Sequence, residues 1–187
     1  MASDVKERMV AGAARLLAQQ GLQGTSFSEV LELTGAPRGS VYHHFPEGKD
    51  QLVAAAVDLA GSRALDAVDS WAGQGPEQVT RSFLALWKSV LERSNFQAGC
   101  AVLAVTIATE SPQLLQRAST VFSSWRQRIA ALLETGGVDT KSAAAFAATL
   151  VAASEGAVVL SRAEQSMEPF ELVAAYLVER ITAATQA

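Results

Sequence analysis

Two prolines nine residues apart, Pro37 and Pro46, limit this chain more than any other feature of it. A proline drives the residue before it out of helical geometry, so Ala36 and Phe45 are barriers. Any helix between them starts at about Pro37, which suits a first helical turn, and stops by Phe45. It is short, and Val41 and Phe45, four apart, mark its inward face. Upstream, Ser26-Phe27-Ser28-Glu29 has the form of a capping box, and Phe27, Val30 and Leu31 supply a buried stripe. Gly35, tolerant of positive φ, breaks that second short helix.

The flanks read as longer helices. Val5, Met9, Ala13, Leu16 and Leu17 fall at helical spacing before Gly21. Downstream, Pro46-Glu47-Gly48 is a turn, and Asp50 is expected to cap a helix from Gln51 toward Trp71. From residue 77 onward, Val79, Phe83, Leu86, Trp87, Val90 and Leu91 form one stripe. Leu114, Ala118, Val121, Phe122, Trp125, Ile129, Leu132 and Leu133 form another. Gly99 to Thr109 is apolar nearly all round, which predicts a central, fully enclosed helix. Asp139 or Thr140 opens an Ala-rich helix, and a last one begins near Pro169 with Phe170, Val173, Ala174, Leu177, Val178 and Ile181 inward. The reading is all-α, nine helices, with residues 1–48 as one domain and 49–187 as a second.

Composition excludes more than it proposes. Cys100 is the single cysteine, so an intramolecular disulfide and a cysteine-based zinc cluster are both ruled out. His43 and His44 are the two histidines; adjacent helical residues point about 100° apart, so they make a poor metal site, and none is expected. There is no phosphate-cradling glycine loop and no nucleophile motif, which argues against an all-α enzyme and against a cofactor. The N-terminal residues are charged where an export signal needs an apolar run, predicting a cytoplasmic protein. Ala143 to Leu160 is apolar enough to raise a membrane span, but Glu155 interrupts it and alanine is weakly hydrophobic, so a buried helix is expected. The net charge is −4. In residues 1–50, Lys6, Arg8, Arg15, Arg38 and Lys49 face Asp4, Glu7, Glu29, Glu32, Glu47 and Asp50. Charge alone therefore suits a protein-binding helical module better than a nucleic-acid binder.

Placement argues the other way. Two short helices joined by a glycine-containing turn form a helix-turn-helix, whose second helix lies in the major groove. Its outward residues are Arg38, Gly39, Ser40, Tyr42, His43 and His44. Arginine forks bind guanine or phosphate, hydroxyls bind phosphate, and glycine lets the backbone approach. Thr25-Ser26, then Thr34-Gly35-Ala36-Pro37-Arg38-Gly39-Ser40-Val41-Tyr42-His43-His44-Phe45, then Lys49 and Leu52, resembles the DNA-binding signature of TetR-type repressors. The resemblance covers roughly residues 5–55. Pro37 departs from it, standing where the family usually has a capping serine, so a phosphate contact made there passes to Lys49 beside a helix N-terminus. The turn Pro46-Glu47-Gly48 is one residue longer than usual and resembles the LmrA/YxaF-like branch.

The resemblance implies a ligand-responsive transcriptional regulator, a repressor in type, that binds pseudo-palindromic operator DNA as a homodimer paired through its last two helices. It also implies an inner cavity for a small-molecule effector whose binding releases the operator. The DNA contacts it suggests are Thr25, Ser26, Arg38, Gly39, Ser40, Tyr42, His43, His44 and Lys49. Residues on stripes that face the apolar 99–109 segment are the pocket candidates: Phe83, Trp87, Phe96, Cys100, Leu103, Thr106, Phe122 and Trp125. Core packing is the competing role for each. Glu155 is expected to pair across the dimer, meet a ligand, or lie at a solvated edge.

Overall fold

A computed structural model describes residues 2–186 and, among them, nine α-helices and no strand. They are α1 (Ala2–Gln20), α2 (Phe27–Thr34), α3 (Gly39–His44), α4 (Lys49–Asp69), α5 (Pro76–Ser94), α6 (Ala101–Ala108), α7 (Pro112–Thr135), α8 (Thr140–Glu164) and α9 (Glu168–Gln186). The chain divides into two compact units. One contains the chain through Arg63 together with Cys100–Val121; the other contains Ala64–Gly99 and the chain from Phe122 onward.

In the first unit, α1 packs on α2, α3 and α6. Its stripe is buried at Met9, Ala13, Leu16 and Leu17, as the spacing predicts. Gly12 sets the distance to α2: a Cβ there would stand 2.6 Å from the Thr34 Cγ2 methyl, so only glycine permits the approach. Gly61 plays the same part between α4 and α7, where a Cβ would lie 2.7 Å from Val121 Cγ2. An ion pair between Arg117 and Asp58 (2.5 Å) spans the same two helices.

In the second unit, α9 packs against α8 and α5. Asp139 caps α8, its carboxylate accepting from the Ser142 amide at 3.1 Å. Thr182 links α9 to α5 by donating to Glu77 Oε2 at 2.9 Å. Lys88 pairs with Glu171 at 3.1 Å, and Arg128 with Asp69.

Three expectations change. The helix after the Pro46 turn begins at Lys49, so Asp50 lies within its first turn, and it ends at Asp69, leaving Trp71 in the following turn. The apolar segment around 99–109 forms only the eight-residue α6. It buries Ala101, Val102 and Val105 and leaves Ile107 77% exposed, because a helix this short seats one face. Glu155 is not at a solvated edge but buried, 7% exposed, midway along α8. α8 has the length and hydropathy of a membrane span, with 44% of its most apolar window buried. α8 packs on α9 and α5.

Candidate nucleic-acid interface

The second and third helices are built by local rules. Ser26 caps α2, its hydroxyl accepting from the Glu29 amide at 3.2 Å. Gly35 ends α2 in the left-handed region, φ 64°, with its amide bonded to the Leu31 carbonyl at 2.9 Å. At the start of α3, Arg38 is already helical and makes no side-chain cap, since a guanidinium has no acceptor to offer the helix amides. Val41 and Phe45 turn inward and are buried, and Phe45 stacks obliquely on Phe27 with ring centroids 6.4 Å apart.

That anchoring leaves Arg38, Gly39, Tyr42 and His43 exposed on α3, with Tyr42 83% exposed. A tyrosine so bare, near an arginine and an imidazole, offers solvent an array of donors and stacking surface. His44 is half-buried, its ring meeting His43 edge-on at 4.7 Å. Partial burial, then the neighbouring His43 and Lys6, hold its imidazole below the usual histidine range.

The remaining expected contacts are placed differently. Thr25 is 1% exposed and its hydroxyl donates to the Gly21 carbonyl at 2.8 Å, closing the turn after α1. Its side chain is therefore turned inward, committed to the turn that precedes α2. Ser40 donates to the Pro37 carbonyl at 2.5 Å and lies 3.4 Å from Met9 Sδ, so its hydroxyl faces α1. Ser26 is committed as a cap. Lys49 donates to the Leu22 carbonyl at 2.8 Å, tying the turn after α1 to the start of α4, with two further ammonium protons to offer.

Lys6 was not foreseen. It lies three residues before Met9, on the face of α1 that meets α3, is exposed, and acts electrostatically on His44. The signal was present in the spacing from Met9, but only the packing of α1 on α3 gives it meaning. Arg8, by contrast, pairs with Asp4 at 3.5 Å and donates to the Thr34 carbonyl at 3.3 Å, bracing α1 against α2.

The effector candidates fall in both units. Phe83, Trp87, Phe96, Phe122 and Trp125 lie in the second, and Cys100, Leu103 and Thr106 in the first. Phe83, Trp87, Cys100 and Trp125 are buried; Phe96, Leu103, Thr106 and Phe122 are half-buried. The Thr106 hydroxyl is satisfied by the Val102 carbonyl at 2.8 Å, and Cys100 Sγ accepts from the Leu103 amide. Trp87 Nε1 is buried without a hydrogen-bond partner, as is Ser154 Oγ. An open groove of about 780 Å³ runs along α5 and α9 over Leu84, Phe170 and Val178, and none of the eight candidates lines it.

Among the described residues, no group of three or more His, Cys, Asp or Glu side chains is placed to hold a metal ion. On the second unit, α8 and α9 leave Val159, Leu160, Leu172 and Tyr176 half or more exposed. Large aliphatic and aromatic side chains grouped on two neighbouring helices are the usual mark of a protein contact.

The profile of bacterial regulatory proteins of the tetR family matches residues 9–56, and that of the LmrA/YxaF-like transcriptional regulator C-terminal domain matches residues 76–176. An HTH-type transcriptional regulator of Mycobacterium tuberculosis is 32% identical over 175 residues, covering 90% of this chain and 89% of that one. The HTH-type transcriptional regulator LmrA of Bacillus subtilis is 26% identical over 172 residues, 89% and 90% of the two chains. A TetR transcriptional regulator from Chloroflexus aurantiacus superposes with a TM-score of 0.80 at 31% identity over 97% of this chain and 96% of that one. A motif that puts Tyr42 and Arg38 on an open helix, the nine-helix order and these likenesses agree: the chain belongs to the TetR family of DNA-binding transcriptional regulators, in its LmrA/YxaF-like branch.

Proposed function

We propose that the protein is a cytoplasmic repressor that binds a pseudo-palindromic operator as a homodimer and leaves it when a small molecule binds. Residues 1–48 are the reading head, and residues 49–187 bind the effector and the second subunit. The observation that carries this reading is the open face of α3, where Arg38, Gly39, Tyr42 and His43 are exposed together while Val41 and Phe45 pin the helix from behind.

In this reading Arg38 and His43 reach base edges or phosphates, Tyr42 and the remaining protons of Lys49 bind phosphates, and Lys6 adds a further cation from α1. Ser26, Ser40 and His44 position the helix more than they touch DNA. The charge balance of the head, near neutral, is offset by this clustering. Dimerisation through α8 and α9 covers Val159, Leu160, Leu172 and Tyr176, and two heads related by a two-fold axis read half-sites about one helical turn apart. Phe83, Trp87, Phe96, Cys100, Leu103, Thr106, Phe122 and Trp125 remain the effector candidates, with the unpartnered indole N–H of Trp87 the most specific polar group among them.

The test is fluorescence anisotropy on the DNA upstream of the protein's own gene and on a scrambled duplex, at two salt concentrations, with wild type and the Arg38→Ala, Tyr42→Ala double variant. Specific binding that weakens about 100-fold in the variant supports the reading, taking about 1–3 kcal/mol for each contact. Equal binding of both proteins to specific and scrambled duplexes would remove it.

A further inference from the structure

The turn between α5 and α6 carries two consecutive left-handed residues without glycine, Asn95 at φ 49° and Phe96 at φ 61°. Asn95 is accounted for locally. It closes α5 in the usual way, its amide bonding to the Glu92 carbonyl at 3.1 Å while the Phe96 amide reaches back to Leu91 at 2.9 Å. Such a cap asks for one left-handed residue, and asparagine tolerates it. Phe96 has no such excuse, since a bulky side chain in this region is strained and persists only where the surroundings hold it.

The holder is Arg162 in the last turn of α8. Its Nε donates to the Phe96 carbonyl at 3.3 Å and its Nη2 to the Gln97 carbonyl at 3.2 Å, a fork across two successive peptides. Gly99 makes room for it. A Cβ there would stand 2.9 Å from Arg162 Nη1 and 3.6 Å from Val158 Cγ1. The inner side of the turn is closed by Ser94, whose hydroxyl accepts from the Ala98 amide at 3.0 Å. The turn is thus stitched to α8 by a side chain that a local cap does not require.

Its place in the chain gives the stitching consequence. The polypeptide passes between the two compact units at three points: within α4, within α7, and at Gly99–Cys100. The first two crossings lie inside continuous helices. The third lies outside any helix and follows directly on the strained turn. We propose that Arg162 is a latch that holds the Asn95–Gly99 turn in its strained form, so that movement of the last turn of α8 releases the turn and alters how the chain enters α6. Its regulatory meaning rests on the reading of the protein as an effector-released operator binder with α8 in the dimer.

The test uses full-length wild type, Arg162→Gln, Arg162→Lys, Gly99→Ala, Phe96→Gly and the Arg162→Gln, Phe96→Gly double variant. Hydrogen exchange at the Phe96 and Ala98 amides should rise at least about tenfold in Arg162→Gln and in Gly99→Ala while α5 and α8 keep their protection. Arg162→Lys should follow Arg162→Gln, because an ammonium cannot bridge both carbonyls as a planar fork does. Phe96→Gly should shift the thermal midpoint more favourably in wild type than in Arg162→Gln, where the strain has already gone. Unchanged exchange in Arg162→Gln, or an equal shift from Phe96→Gly in both backgrounds, would overturn the latch. Operator affinity of dimeric Arg162→Gln should differ from wild type by about fivefold or more; equality would overturn its regulatory part. If wild type itself binds no operator, the functional reading fails while the exchange and thermal results still decide the latch.

Discussion

α3 and α8 stand at opposite ends of what a helix in this protein does. α3 has six residues and buries Val41 alone within its span, leaving Tyr42, His43 and Gly39 bare. α8 has twenty-five residues, buries nine, and what it leaves bare includes Val159 and Leu160. One exposes hydrogen-bond donors and an aromatic phenol, the other aliphatic surface. The two faces therefore suit different partners: a polyanion, whose grip weakens with salt, and a protein surface, whose grip does not. The comparison also separates how each helix is held. α3 depends on two anchors and a tight frame around it, α8 on area.

The largest effect should come from spoiling the aliphatic face. Leu160→Asp with Tyr176→Asp places charges where two subunits would bury them, and the protein should sediment as a folded monomer whose thermal midpoint falls by what association supplied, since both side chains are half exposed in the isolated chain. A monomer engages one half-site, so operator affinity should fall by two orders of magnitude or more. Retention of a dimer in sedimentation would show that α8 and α9 do not pair subunits. It would leave the comparison standing on exposure alone.

The next effect is on the frame of the head. Gly12→Ala puts a methyl 2.6 Å from Thr34 Cγ2, and overpacking of this kind costs about 1–3 kcal/mol. Urea unfolding should show that loss. If Gly12→Ala is neutral, α2 moves easily on α1 and the head is looser than its contacts suggest.

Gly12 also shows where sequence reading reached its limit. Caps and breaks were legible at Ser26, Gly35, Pro37 and Pro46 because they act within three or four residues, and the buried stripes of α1, α5 and α7 followed from spacing. What depended on contacts between distant residues was not. Thr25 looked like a polar neighbour of Ser26 until its hydroxyl was found on the Gly21 carbonyl, and Lys6 looked like one charge among several until α1 was seen to lie along α3. The apolar run of α6 suggested enclosure, but hydropathy carries no information about how many neighbours a short helix has; Ile107 lies outside. The strained Phe96 and the reach of Arg162 across 66 positions have no local signature at all.

A smaller effect distinguishes positioning from charge at the reading head. Lys6→Ala should leave α3 in place and remove one phosphate contact from each subunit. The slope of log affinity against log salt should then drop by about 0.9 per head, with affinity at moderate salt reduced several-fold. Arg15→Ala is the control, an exposed cation on α1 that should leave the slope unchanged. A slope identical in Lys6→Ala and wild type would mean that Lys6 acts only on His44 and not on DNA.

The smallest effect is the dependence on pH, and its two signs oppose each other. Partial burial, His43 and Lys6 hold His44 below its ordinary titration range, so the folded protein binds this proton less readily than the unfolded chain does. The contribution of His44 to stability is therefore complete above the unfolded histidine pKa, about 6.5, and is lost as pH falls through the lowered folded value. Bound DNA works in the other direction. Phosphates near α3 favour the imidazolium, so lowering the pH from 7.5 to 6 should tighten operator binding while the free protein loses stability. His44→Gln should flatten the stability profile and leave most of the operator affinity in place, because His43 is the exposed imidazole on the open face of α3. If His44→Gln instead abolishes the affinity gain and spares the stability profile, His44 rather than His43 is the imidazole that meets DNA. The face of α3 that reads the operator would then extend to its last residue.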